Sequence, residues 1–195
     1  MDIRDIDRRS LQIAGATIAH VKADHLDLPT PCGDWTLRGL LRHLVSENEG
    51  FAAAMGNGSA PRTVWDGGRL GDDPYRAYEA SAELVISAFA PDDALDRDME
   101  VREFGIFPGR VALSLHAVDF LVHGWDVAAA IGVPYEPDDE LAATALKVAS
   151  RWPDAPETRG PGAAFDTRVE VPADAPDFQR LLGLLGRSPQ WALPC

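Results

Sequence analysis

A mostly α-helical fold, with its helices packed as a bundle, follows from three features of the sequence. Apolar residues recur at helical spacing over several long windows, the longest being LSLHAVDFLVHGWDVAAAIG at 113–132. Each window is bounded by a capping residue, a proline or a glycine. Only FDTRVEV at 165–171, and more weakly MEVREF and GIFPG between Leu95 and Phe107, alternate as strands do. The expectation is therefore a helical bundle with a minor β element on its C-terminal side. At 195 residues and 46% hydrophobic, the chain suits one domain with a proper core.

The first helix is expected over Asp5 to His25, with Leu11, Ala14, Ile18 and Val21 as its stripe. His20 and His25 fall near its end and read as surface residues. LDLPTPCGDW, with two prolines and a glycine, is a loop. Cys32 lies in it and reads as inert, because no electropositive setting is visible. Thr36 is placed to cap a second helix whose apolar face is Leu37, Leu40, Leu41, Leu44 and Phe51. His43 borders that face, and Glu47 lies one turn further along it.

GNGSAPRTVWDGGRLGDD reads as a loop long enough to form a rim or lid. Its glycines are not a phosphate loop, since no Gly-Lys-Ser/Thr follows. Asp73–Pro74 opens a third helix with Tyr75, Tyr78, Ala82, Val85 and Phe89 on one side. The fourth helix follows Pro108–Gly109 and stops at Gly132. A fifth is expected over Glu140 to Trp152, a proline- and glycine-rich linker over Arg151 to Gly162, and a last short helix over Phe178 to Gly186.

The fourth helix carries the chemistry. Asp119 and His123 are one turn apart, so a carboxylate and an imidazole project together from an apolar surface. That pair is half of a divalent-metal site, or else a buried ion pair. Asp126 reads equally as a group that orients His123 from behind and as a solvated charge. Trp125 reads as core, and Arg38, Arg42 and Arg110 as surface cations.

The net charge of −13 argues against nucleic acid and anionic membranes as partners. Cys32 and Cys195 make no disulfide framework, no apolar run approaches the ~20 residues of a membrane span, and the charged N-terminus is unlike a signal peptide. The expected compartment is the cytoplasm.

PCGDWTLRGLLRHLV together with DFLVHGWDVAAAIG resembles the DinB-like superfamily. Within it, the chain is most similar to the actinobacterial branch related to the metal-binding domain of mycothiol-dependent maleylpyruvate isomerase. The closing VEVPADAPDFQRLLGLLGRSPQW is similar to the short C-terminal region of that branch. The resemblance implies a DinB-like four-helix bundle over 1–152 and a short C-terminal α/β extension over 153–195 packed on it. It implies a divalent cation, usually zinc, held by His43, Asp119 and His123. The isomerase has glutamate at the middle position; aspartate here is one methylene shorter, and His116 or Glu47 could substitute for it. It further implies mycothiol as co-substrate and a small electrophilic substrate, in a thiol-dependent transferase or isomerase. A metal-dependent hydrolase or cyclase without thiol, and a non-catalytic metal- or ligand-binding bundle, are the alternatives. The expected oligomeric state is monomer or homodimer.

Overall fold

Caps and apolar stripes place the helices. A computed structural model describes residues 2–33, 35–153, 159–160 and 165–193. Helix α1 (Ile3–Ile18) starts at Asp2, whose carboxylate accepts from the Arg4 N–H at 3.1 Å. Helix α2 (Leu37–Asn57) is capped by the Thr36 hydroxyl and ends at Gly58 in the left-handed conformation. A four-residue helix, α3 (Arg62–Trp65), precedes α4 (Pro74–Ala88), which has Pro74 in its first turn. Strands β1 (Asp98–Val101) and β2 (Gly105–Pro108) form an antiparallel hairpin, with Met99 opposite Phe107. Then come α5 (Gly109–Ile131), α6 (Asp139–Ala149) and α7 (Asp177–Leu184).

Helices α1, α5, α2 and α4 close a four-membered ring in that order, so α2 and α5 are neighbours. Helix α5 is apolar over most of its circumference, as befits a helix that is buried along most of its length. Its Leu113 and Phe120 join the main core with Leu37, Leu40, Leu44 and Val85. Its Val118, Leu121 and Val122 join a second core with Leu141 of α6 and Leu181 and Leu182 of α7. The chain is mostly helical, as its periodicity predicts, and no described helix is long and apolar enough to cross a membrane.

Three expectations change. Helix α1 stops at Ile18 rather than near His25, and Ala23–His25 form a separate 3-10 turn that lets Leu26 reach the core. The small sheet lies at 98–108, before α5, on the weaker strand signals MEVREF and GIFPG rather than on FDTRVEV. Among the described residues, FDTRVEV contributes only a bridge from Phe165 to Arg159, and its Val169 N–H bonds Gly183 of α7, so the C-terminal segment has no strand. Finally, the 56–73 segment is not an open lid. Trp65 is 2% exposed and sits on Gly50 of α2, where a β-carbon would lie 2.1 Å from the indole.

Candidate metal centre

The adjacency of α2 and α5 brings the sequence-selected residues together. His43 comes from the second turn of α2; Asp119 and His123 come from successive turns of α5. One donor atom from each of the three lies within 4.8 Å of the others. His43 Nε2 is 3.5 Å from Asp119 Oδ2, and His123 Nε2 is 3.3 Å from Asp119 Oδ1. The two imidazole rings meet edge to face at 5.0 Å.

His43 Nε2 and Asp119 Oδ2 are buried and have no hydrogen-bond partner. Such atoms are costly unless something satisfies them. Donors of a tetrahedral zinc at about 2.0–2.1 Å lie roughly 3.3 Å apart, close to the spacings seen here. A nitrogen–oxygen–nitrogen set of this kind suits zinc and leaves a coordination position open. The Asp119 side chain is 30% exposed, so the cluster opens to solvent on that side. Trp35 flanks the opening, its ring 4.8 Å from His43 and 6.3 Å from His123.

Charge follows geometry. Burial pushes the Asp119 carboxyl up, but the His123 and His43 imidazoles outweigh it and hold the group well below the usual carboxylate range. Burial depresses His123, but Asp119 and Asp126 outweigh that and hold it well above the usual imidazole value.

Behind each histidine stands a carboxylate, and behind each carboxylate an arginine. His123 Nδ1 donates to Asp126 Oδ2 at 2.8 Å, and Arg187 Nη2 donates to the same oxygen at 3.0 Å. Asp126 is fully buried and Arg187 is 7% exposed. On the other side, Glu47 Oε1 faces His43 Nδ1 at 3.6 Å, too far for a hydrogen bond. That oxygen accepts from the Arg102 guanidinium, with Nε at 2.7 Å. Arg102 also donates to the Trp65 carbonyl and to Asp66. It is the one described non-glycine residue in the left-handed region, at φ 45°, a conformation costing about 1–3 kcal/mol. The hairpin turn thereby aims the guanidinium at Glu47.

The two suggested substitute ligands are engaged elsewhere. His116 lies two turns before His123 on α5, deeper in the bundle, Nδ1 against Asp7 at 2.6 Å and Nε2 against Asn48 Oδ1 at 3.0 Å. Asn48 in turn donates to Ser81. Glu47 is held by Arg102 on the far side of His43. Arg38, Arg42 and Arg110 pair with Asp27, the Gly68 carbonyl and Asp96 respectively. Cys32 Sγ accepts from Arg187 at 3.2 Å, and burial pushes its thiol up despite His123 and Arg187 nearby. Cys32, His123 and Asp126 also converge, but Arg187 already occupies the sulfur and the carboxylate. Cys195 lies outside the described residues.

Sequence reasoning missed Arg102, Arg187 and Trp35. Arg187 lies within the closing VEVPADAPDFQRLLGLLGRSPQW, and no spacing rule ties it to Asp126, 61 residues earlier.

Bundle and cluster together define a class: an α-helical bundle presenting a His–Asp–His triplet from two neighbouring helices, open on one side. Residues 8–128 match the family model of the mycothiol maleylpyruvate isomerase N-terminal domain, and the chain belongs to that family. The uncharacterized proteins MT0763 and Rv0738, from two strains of Mycobacterium tuberculosis, are each 32% identical over 188 residues, covering 96% of this chain and 99% of theirs. The fold is similar to the crystal structure of the mycothiol-dependent maleylpyruvate isomerase and to that of a histidine-to-alanine mutant. Each has a TM-score of 0.61 at 12% identity, covering 76% of this chain and 66% of that one. The match thus spans slightly less than two thirds of the isomerase chain.

Proposed function

We propose that this chain binds a divalent cation, zinc above all, through His43, Asp119 and His123, and acts as a thiol-dependent transferase or isomerase on a small electrophile. The observation that carries the reading is the pair of buried, unpartnered donor atoms, His43 Nε2 and Asp119 Oδ2, facing each other 3.5 Å apart. A bound divalent cation lowers the pKa of a coordinated thiol or water, supplying a nucleophile at neutral pH. The chain's own groups do the rest. Asp126 holds the Nδ1 proton of His123, so its Nε2 faces the open side. Glu47 balances charge beside His43. Trp35 offers an aromatic wall at the mouth.

Family membership supports mycothiol as the thiol, because the matched model and the similar solved structure both carry that name. We assign the bundle to residues 1–152 and treat 153–195 as an extension that reaches the centre through Arg187. A cytoplasmic location suits a thiol-dependent reaction.

The test is thermal. Zinc-loaded protein, titrated with mycothiol or cysteinyl glucosamine, should melt higher in proportion to the logarithm of thiol concentration; at 100 times Kd the gain is about 2.7 kcal/mol. No shift at saturating thiol with zinc bound would favour the hydrolase or cyclase reading, or the non-catalytic metal- or ligand-binding bundle.

A further inference from the structure

The two metal-facing histidines are not supported alike. His43 has only a carboxylate at 3.6 Å, whereas His123 makes a 2.8 Å hydrogen bond to a fully buried Asp126. Asp126 in turn depends on one cation, and that cation comes from outside the four-helix ring. Arg187 lies three residues beyond α7 and is nearly fully buried. It reaches Asp126 through both Nε, at 3.4 Å from Oδ1, and Nη2, at 3.0 Å from Oδ2. Its Nη1 donates to the Leu185 carbonyl, and its backbone N–H to the Leu182 carbonyl, which ties the residue to the end of α7.

We propose that Arg187 is a positioning residue, through which the C-terminal segment sets the orientation of His123 and hence the affinity of the centre. The inference rests on the metal-centre reading above. Its physical basis is the crowding at one oxygen. Asp126 Oδ2 accepts from both Arg187 and His123, so the carboxylate is fixed in one rotamer by a fork that a lysine cannot reproduce. A fixed Asp126 leaves His123 Nδ1 only a donor role, and Nε2 is then the atom presented to Asp119 and the cation. Without Arg187 the carboxylate keeps His123 as its one remaining partner and is no longer fixed in one rotamer, so the imidazole loses its single orientation.

The experiment measures zinc affinity by competition with a chromophoric chelator, and the visible absorption of the cobalt-loaded protein, alongside the melting temperature without metal. Asp126→Asn and Arg187→Gln should each weaken zinc binding about 10–100-fold and shift the cobalt spectrum at a temperature where both remain folded. Arg187→Lys should recover part of the affinity, because it restores one donor. Cys32→Ser should leave affinity unchanged, since the sulfur only accepts from Arg187. If Arg187→Gln does not fold, Asp126→Asn decides by itself: it keeps the volume and a hydrogen-bonding group but no charge. A lowered melting temperature with affinity and cobalt spectrum unchanged would make the pair purely structural and overturn the proposal. Loss of zinc on Cys32→Ser would overturn it too, by moving the cation to the Cys32–His123–Asp126 group. Failure of the wild-type chain to bind zinc would instead remove the metal-centre reading on which it stands.

Discussion

Replacing His123 with alanine separates a ligand from a core residue. The side chain is 8% exposed, so the loss of its packing and of one hydrogen bond to a charged group will be felt. The damage is bounded, however. Asp126 keeps Arg187 at 3.0 Å, and the Asp119 side chain is 30% exposed, so neither carboxylate becomes a fully buried, unpaired charge. A cost of about 1–3 kcal/mol follows. For a domain of this size each kcal/mol moves the melting temperature by about 2–4 °C, giving a fall of roughly 2–12 °C without metal. Zinc content after dialysis should drop from about one equivalent to near none, because three protein ligands become two. The helical circular dichroism spectrum should survive. His20→Ala, on the exposed turn after α1, should change neither quantity. The reasoning is refuted if His123→Ala retains its zinc, or if it unfolds while the metal-free wild type is stable; either result makes the imidazole part of the core.

Two further outcomes follow from particular contacts. Gly50→Ala puts a carbon 2.1 Å from the Trp65 ring, so the indole must leave its pocket. Tryptophan emission should shift to the red and the melting temperature fall, whereas an unchanged spectrum would show that α3 adjusts without cost. The Asp119–His123 pair gives opposed pH dependences. The depressed Asp119 contributes stability above its ordinary pKa and loses it as pH falls through the folded value. The elevated His123 contributes below its ordinary pKa and loses it as pH rises through the folded value. The metal-free protein should therefore draw most from this pair between about pH 4 and 6.5. The increment in melting temperature from zinc should instead grow with pH, since a deprotonated imidazole is required. Melting curves with and without zinc from pH 5 to 9 check both, and a zinc increment that shrinks with pH would contradict the ligand role of His123.

Period, caps and breakers were enough to read the long helices and several of their bounding residues from the sequence, though not the end of α1 or the short α3: Thr36, Asp73–Pro74 and Gly132 mark element ends by local chemistry that needs no partner. The face shared by Asp119 and His123 was equally local, a consequence of one helical turn. Family resemblance, rather than spacing, pointed to His43 as the third member. Where the β element lies was legible only as the weaker of two signals, MEVREF and GIFPG. FDTRVEV alternates as well as DMEV does, but only the latter has a partner four residues away in a hairpin, while the former spends its backbone on α7. The role of Trp65 was hidden for the same reason: a glycine 15 positions earlier makes its pocket. Tertiary structure alone decided what stands behind the histidines. Arg102 and Arg187 are 55 and 61 residues from the carboxylates they hold, and both come from connecting segments whose sequence carries no period. Local chemistry wrote the face that carries Asp119 and His123; the long-range charge pairs behind that face exist only once the hairpin and the C-terminal segment have closed over the bundle.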